Sequence, residues 1–201
     1  MRVAVITGGI GAGKSTAARY LAEKGAVVID SDEVALSLLV PGSRLLAKVA
    51  DEFGPDVLLA DGSLDRAALA RAAFAAPGRA SRLNALVHPA VSEALELRLA
   101  ELRALPEAPA AVVVEVPLLA EAPQIASLAD VVVAIVAPQQ VRVGRAAERG
   151  MTEADAKRRA AAQASDAERA SLADEVVIND GSLERFLSEV DRIWRTRLAG
   201  M

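Results

Sequence analysis

The chain has 201 residues, 53% hydrophobic and 25% charged, with a formal net charge of −4; this is the size of one compact domain carrying insertions, and disordered and fibrous classes are excluded. One Trp, one Tyr and three Phe leave the core to aliphatic residues, and the absence of cysteine removes disulfides, thiolate metal sites and a cysteine nucleophile. The acidic balance argues against a nucleic-acid partner, and apolar runs too short for a bilayer, with no signal-peptide layout, give the expectation of a soluble cytoplasmic protein.

In chain order, a β-branched run at 3–7 reads as a strand and is followed by a glycine cluster and a helical pattern at 14–24, stopped by Gly25. A second strand is expected at 26–30. About eighty residues without a convincing strand follow, too long for a loop and therefore an inserted helical subdomain. Helices are expected there at 43–53, 64–75, 79–87 and 89–105, punctuated by Gly54-Pro55, Asp61-Gly62, Pro77-Gly78 and Pro106. Strands are expected at 111–116, 131–136 and 175–178, and helices at 139–149 and 183–198, the last with Ser182 as its N-cap. Between Arg142 and about Leu172 a second helical stretch breaks the alternation, with Thr152 and Asp155 in a capping-box pattern. The strands lack polar alternation, as expected for a parallel sheet buried on both faces. The expected fold is α/β: a five-stranded parallel sheet flanked by helices, with a helical insertion and a small helical lid.

Gly8-Gly9-Ile10-Gly11-Ala12-Gly13-Lys14-Ser15 satisfies G-x-x-x-x-G-K-[ST] in its proper context, between a buried strand and a helix. Such a loop turns backbone N–H groups toward phosphate oxygens, and the helix N-terminus adds partial positive charge. Gly9, Gly11, Ala12, Gly13, Lys14, Ser15 and Thr16 are the expected nucleotide contacts. Lys14 supplies a full charge at the β and γ phosphates, and the Ser15 hydroxyl is a magnesium ligand. A nucleoside triphosphate and Mg2+ are thus the expected ligands.

Several classes are disfavoured. A GTPase needs N-K-x-D, and neither Asn84 nor Asn179 begins one. Asp51-Glu52-Phe53-Gly54 matches D-x-x-G only formally, inside the insertion. Glu115 followed by Val116 and Pro117 fits a motor ATPase strand poorly. A small-molecule kinase remains. Asp30 and Asp32 stand at the end of the second strand, at the edge where ligands of open α/β sheets bind. There a carboxylate can orient an alcohol and accept its proton; the competing reading makes Asp32 the N-cap of a helix beginning at Glu33.

The chain resembles the dephospho-CoA kinase family in blocks spread over nearly its whole length. These are Ile6 to Thr16, Val28-Ile29-Asp30-Ser31-Asp32, Val40-Pro41-Gly42, Leu83 to Pro89, Val116-Pro117-Leu118-Leu119, Ala162-Gln163-Ala164-Ser165, and Ala173-Asp174 with Val177-Ile178-Asn179-Asp180-Gly181. The resemblance implies a P-loop core (1–32, 108–140 and 173–201), a helical acceptor-binding insertion (33–107) and a lid (141–172). It implies ATP-dependent phosphorylation of the ribose 3′-hydroxyl of dephospho-CoA, with Asp32 as general base and Arg145 near the transferring phosphate. Acceptor contacts are expected at Asp30, Asp32, His88, Leu118 and Leu119. Glu115 stands where the family often has Asp.

Some side chains keep two readings. Arg142, Arg145 and Arg149 share one helix face, either clamping phosphates or pairing with Glu148 and Glu153. His88 precedes Pro89, which suits an extended turn between helices or an acceptor contact. Leu118 and Leu119 are core or ligand wall, and Asn179-Asp180-Gly181 is an adenine contact or a tight turn. The alternative within enzymes is a P-loop kinase for another small alcohol, such as a nucleoside, shikimate or a sugar acid. The alternative outside them is a nucleotide-dependent switch. For assembly the sequence leans toward a monomer without determining it.

Overall fold

A computed structural model describes residues 1–199 and divides the chain into two units, one formed by residues 1–30 with the chain from Ala100 onward, the other by Ser31–Leu99. The first unit is built on β1 (Arg2–Gly8), β2 (Val27–Asp30), β3 (Ala111–Glu115), β4 (Val131–Val136) and β5 (Glu175–Ile178). All pairings are parallel, in the order β2-β3-β1-β4-β5. Val3 to Val5 of β1 and all of Ala111 to Val114 in β3 have no exposed surface. These central strands are apolar on both faces because helices cover both. The edge strands differ from that expectation. Residues of β2 are only half-buried, while in β5 Val177 is buried and Val176 and Ile178 are exposed. An edge strand lacks one lateral neighbour and part of the helical cover, so its apolar run outlasts its burial.

Among the described residues, five α-helices begin in this unit: α1 (Lys14–Glu23), α6 (Gln139–Glu148), α7 (Glu153–Ala162), α8 (Asp166–Ser171) and α9 (Leu183–Ile193). The final helix, expected as one piece over 183–198, ends as α9 and continues in a π-helical turn, Trp194–Leu198, closed by the Ala199 amide donating to the Trp194 carbonyl at 2.7 Å. Ser182 caps α9 as expected, accepting from the Arg185 amide. One cluster unites Ile6, Leu21, Val113, Val133, Ile135, Phe186 and Val190 across sheet, α1 and α9. Fully burying each such side chain stabilises by roughly 1.5–3 kcal/mol before conformational entropy is subtracted.

The second unit holds α2 (Ser31–Leu38), α3 (Arg44–Phe53) and α4 (Arg66–Ala73), with the single-turn 3-10 helix Pro55–Val57 between the last two; most of α5 (Arg79–Arg103) completes it. Ser43 caps α3 and Asp65 caps α4, each side chain accepting from backbone amides of the first turn. Val49, Phe53, Val57, Leu69 and Ala73 form its core. One competing reading and one expectation are corrected here. First, the helix after β2 begins at Ser31, so Asp32 lies inside its first turn, where its charge complements the helix dipole, and is not the N-cap. Second, no extended turn divides the helices at His88 and Pro89: α5 runs through both. Proline forfeits one amide donor, but a helix of 25 residues holds its remaining ladder on either side of the gap.

Candidate active site

The phosphate-binding loop leaves β1 at the middle of the sheet, flanked by β3 and β4. The connection from β1 passes over β3 to reach β2, whereas the chain from β3 passes over β1 to reach β4. That reversal opens a crevice at the carboxyl ends of the strands, and the loop sits in it. Gly13 enters α1 at φ 113°, a left-handed conformation that a side chain would resist, and its carbonyl accepts from the Thr16 and Ala17 amides. Lys14 Nζ donates to the Gly8 carbonyl at 2.9 Å and to that of Gly9 at 3.4 Å. The lysine is therefore folded over the loop it serves.

Ser15 Oγ donates to Glu115 Oε2 at 3.2 Å. Glu115 ends β3 with 8% exposure, in register with Ile6 of β1 on one side and Asp30 of β2 on the other. The strand order thus puts β3 between β1 and β2. Glu115, rather than Asp30, supplies the carboxylate that the loop serine meets. A hydroxyl and a carboxylate side by side form the hard-oxygen set that suits magnesium. Among the described residues no group of three or more His, Cys, Asp or Glu side chains could hold a metal. The pair fits a cation that keeps several waters and takes its other ligands from substrate phosphates.

On the other flank, Asn179 follows β5 with 6% exposure, and its Nδ2 donates to the Ala12 carbonyl at 2.8 Å. Arg145 of α6 donates to the carbonyl and to Oδ1 of the same asparagine, both at 3.2 Å. Gly13, Thr16, Arg145, Arg149, Asn179 and Phe186 line a cavity of about 250 Å³. It lies next to the loop.

The tip of the loop faces α6 and the residues after α7. The Ile10 amide donates to Gln163 Oε1 at 2.9 Å. A side chain on Gly11 would overlap the Arg142 carbonyl, so the absence of one lets α6 lie on the loop. Arg142 and Arg169 are 8% and 1% exposed and share Asp166, at 3.8 and 3.4 Å. Burial pushes the Arg169 guanidinium below its ordinary range; Asp166 opposes that shift, and the neighbouring Arg142 charge adds to it. Asp166 is held at the start of α8, whose capping box joins Ser165 and Glu168.

The expected site residues are therefore placed as follows. Gly9, Gly11, Ala12, Gly13, Lys14, Ser15 and Thr16 form the loop and the start of α1, and Arg145 lines the cavity beside them. Asp30 is the half-buried last residue of β2. Leu118 and Leu119 lie in the turn after β3, the first half-buried and the second fully buried. In the second unit, Asp32 is exposed in the first turn of α2 and His88 half-buried within α5. Sequence reasoning gave Gln163 no role, left Asn179 between an adenine contact and a tight turn, and left Glu115 between a magnesium and an acceptor contact. An acidic residue ending a fully apolar strand was the available signal for Glu115, and an asparagine leaving the last strand was that for Asn179. The Gln163 contact spans 153 residues and has no local signature.

The fold and the loop together define a P-loop nucleotide-binding protein of the kinase type. The dephospho-CoA kinase family profile matches residues 2–185. A Streptomyces avermitilis dephospho-CoA kinase is 46% identical over 94% of this chain and 90% of its own length. One from Mycolicibacterium paratuberculosis is 44% identical over 96% of this chain, which spans only 46% of that longer protein. A solved structure from Thermus thermophilus superposes with a TM-score of 0.77 at 32% identity, covering 96% of both chains. The chain belongs to the dephospho-CoA kinase family.

Proposed function

We propose that this protein transfers the γ-phosphoryl group of ATP to the ribose 3′-hydroxyl of dephospho-CoA, giving coenzyme A and ADP. The carrying observation is the loop itself, with Lys14 folded over Gly8 and Gly9 and Ser15 bonded to a buried Glu115 at the carboxyl edge of the sheet. In this reading the loop amides bind the β phosphate and Lys14 spans β and γ. The adenine occupies the cavity beside Gly13, Asn179 and Phe186, and Arg145, on the wall of that cavity, serves the transferring phosphate from there. Ser15 and Glu115 hold magnesium, directly or through water; when bound, the ion neutralises charge on the β and γ oxygens.

Asp32 orients the acceptor hydroxyl and takes its proton as the new phosphorus–oxygen bond forms, with Asp30 supporting it. Phosphoryl transfer depends mainly on positioning and charge stabilisation, which the loop and its cations supply beside the base. Residues 33–107, with His88, serve as the acceptor-binding insertion, and 141–172 as a lid that excludes water from the transferring group. Leu118 and Leu119 shape the acceptor side of the turn after β3. No helix among the described residues is long and apolar enough to cross a membrane. In this reading the protein works on small molecules in the cytoplasm.

The deciding experiment measures ADP release from ATP with dephospho-CoA, with shikimate, with gluconate, with a nucleoside, and without acceptor. Release that depends on dephospho-CoA supports the assignment. Release driven instead by another alcohol, or an acceptor-independent rate alone, overturns it.

A further inference from the structure

Three features near the loop have no role in that reaction so far: a groove between α6 and α7, the amide interaction with Gln163, and the buried pair Arg142 and Arg169. The last carries an inference. Arg142 Nε donates to the Ala137 carbonyl at 3.0 Å, and Nη2 pairs with Asp166. Nη1 is buried and, among the described residues, has no hydrogen-bond partner. A guanidinium nitrogen shut away from water without an acceptor is costly, so such an atom needs a reason to be there.

Its position supplies one. A side chain on Gly9 would overlap Arg142 Nη1, and Arg169 Nη1 lies 3.5 Å from the same point. Lys14 Nζ meets the carbonyl of that same Gly9. Two cationic donors thus converge on one residue of the phosphate loop from opposite elements, α1 and α6. The neighbouring Ile10 amide is already engaged by Gln163, whereas Nη1 of Arg142 has no acceptor among the described residues. Asp166 is shared between two buried guanidiniums, so it does not saturate either.

We propose that Arg142 is a further catalytic residue, whose Nη1 binds the terminal phosphoryl group of the nucleotide and stabilises the charge that spreads over its oxygens during transfer. The proposal rests on the kinase reading and deepens it. Arg142 tells ATP from ADP, while Arg145 stands beside Asn179 at the adenine cavity. Asp166 and Ala137 hold the guanidinium plane, and the missing side chain at Gly9 lets Nη1 approach the loop backbone.

The test is calorimetric titration of the full chain with magnesium and either ADP or AMP-PNP, in the wild type and in Arg142→Gln. Without the guanidinium at the γ-phosphoryl group, AMP-PNP affinity falls by about tenfold or more, the size of one charge-assisted hydrogen bond, while ADP affinity changes by less than about twofold. Arg142→Lys restores part of the AMP-PNP affinity. Equal weakening of both ligands would make Arg142 a packing residue of the loop, and no change in either would remove it from the site; both overturn the proposal. If Arg142→Gln does not fold, the wild type still decides. Its Arg142 guanidinium ¹⁵N–¹H signals shift with AMP-PNP and not with ADP, and identical spectra with the two nucleotides overturn the proposal. No acceptor is present in these titrations, so their outcome is separate from the failure of dephospho-CoA-dependent turnover, which would overturn the acceptor assignment alone.

Discussion

Two corners of the sheet-containing unit are rich in arginine, and they treat it in opposite ways. Where β5 meets α9 and the π-helical turn, each of Arg192, Arg195 and Arg197 meets a carboxylate. Glu175 accepts from Arg192 at 3.1 Å and from Arg197 at 2.9 and 2.6 Å, and Asp191 takes Lys24 and Arg195, each at 2.9 Å, with the Tyr20 hydroxyl at 3.0 Å. These interactions hold both carboxyls below their usual range. At the phosphate loop, two deeply buried arginines share one aspartate, and Nη1 of Arg142 is left over. A corner that only fastens elements together pairs its charges internally. A corner that awaits an anion leaves cationic donors in excess.

If that contrast holds, substitutions at the loop edge should cut turnover while leaving folding nearly intact, and those at the fastening corner should do the reverse. Outside both corners, the largest effect is expected at Asp32 of the second unit. Asp32→Asn keeps nucleotide affinity and lowers dephospho-CoA-dependent turnover about 10²–10⁴-fold, with Asp30→Asn milder. Retained activity in Asp32→Asn with loss in Asp30→Asn would move the base to Asp30, and retained activity in both would reduce the pair to helix-start chemistry.

Lys14→Ala should lower kcat about 10²–10³-fold, since it removes charge from the β and γ phosphates, while losing the Nζ bonds to Gly8 and Gly9 lowers the melting temperature only slightly. A correctly folded Lys14→Ala enzyme with wild-type turnover would refute the assignment of the loop.

A smaller effect is expected in hydrogen exchange over residues 142–149. Amides there should gain protection with ADP and dephospho-CoA together, as the α6 face closes over bound phosphates. Exchange indifferent to ligand would mean that α6 is fixed in place.

The smallest concerns acid stability. Glu175 is held below its ordinary value of 4.5, first by Arg197 and then by Arg192. A depressed carboxyl stabilises the fold above its ordinary value, and that contribution disappears as the pH falls through the lower folded value. Glu175→Gln should therefore melt lower than the wild type at pH 6, by on the order of 2–4 °C, with unchanged turnover. The gap between the two proteins should close as the pH drops below 4.5. A gap independent of pH would assign the loss to packing instead of charge.

Much of this was legible in the chain. The loop from Gly8 to Ser15, the five strands and most helix boundaries follow from local periodicity, glycine placement and capping residues, because backbone sterics and burial on both faces act within a few neighbouring residues. The break expected at Pro89 failed for the complementary reason: a local penalty at one residue was outweighed by the rest of a long helix. Identity of the loop residues, and the acidic pair leaving β2, were likewise readable without coordinates.

Only the tertiary structure decided which distant residues the loop meets. Strand order has no local signature, and it is the order β2-β3-β1 that brings Glu115 to Ser15 across 100 positions and keeps Asp30 one strand away. The same is true of Asn179 on Ala12 across 167 positions and of Arg142 against Gly9. Residues at i, i+3 and i+7 placed Arg142, Arg145 and Arg149 on one face, yet their periodicity was blind to their depth. Arg142 is buried at the loop, Arg145 turns to Asn179 and Arg149 is exposed, because what covers a helix face is set by the chain packed against it and not by the helix itself.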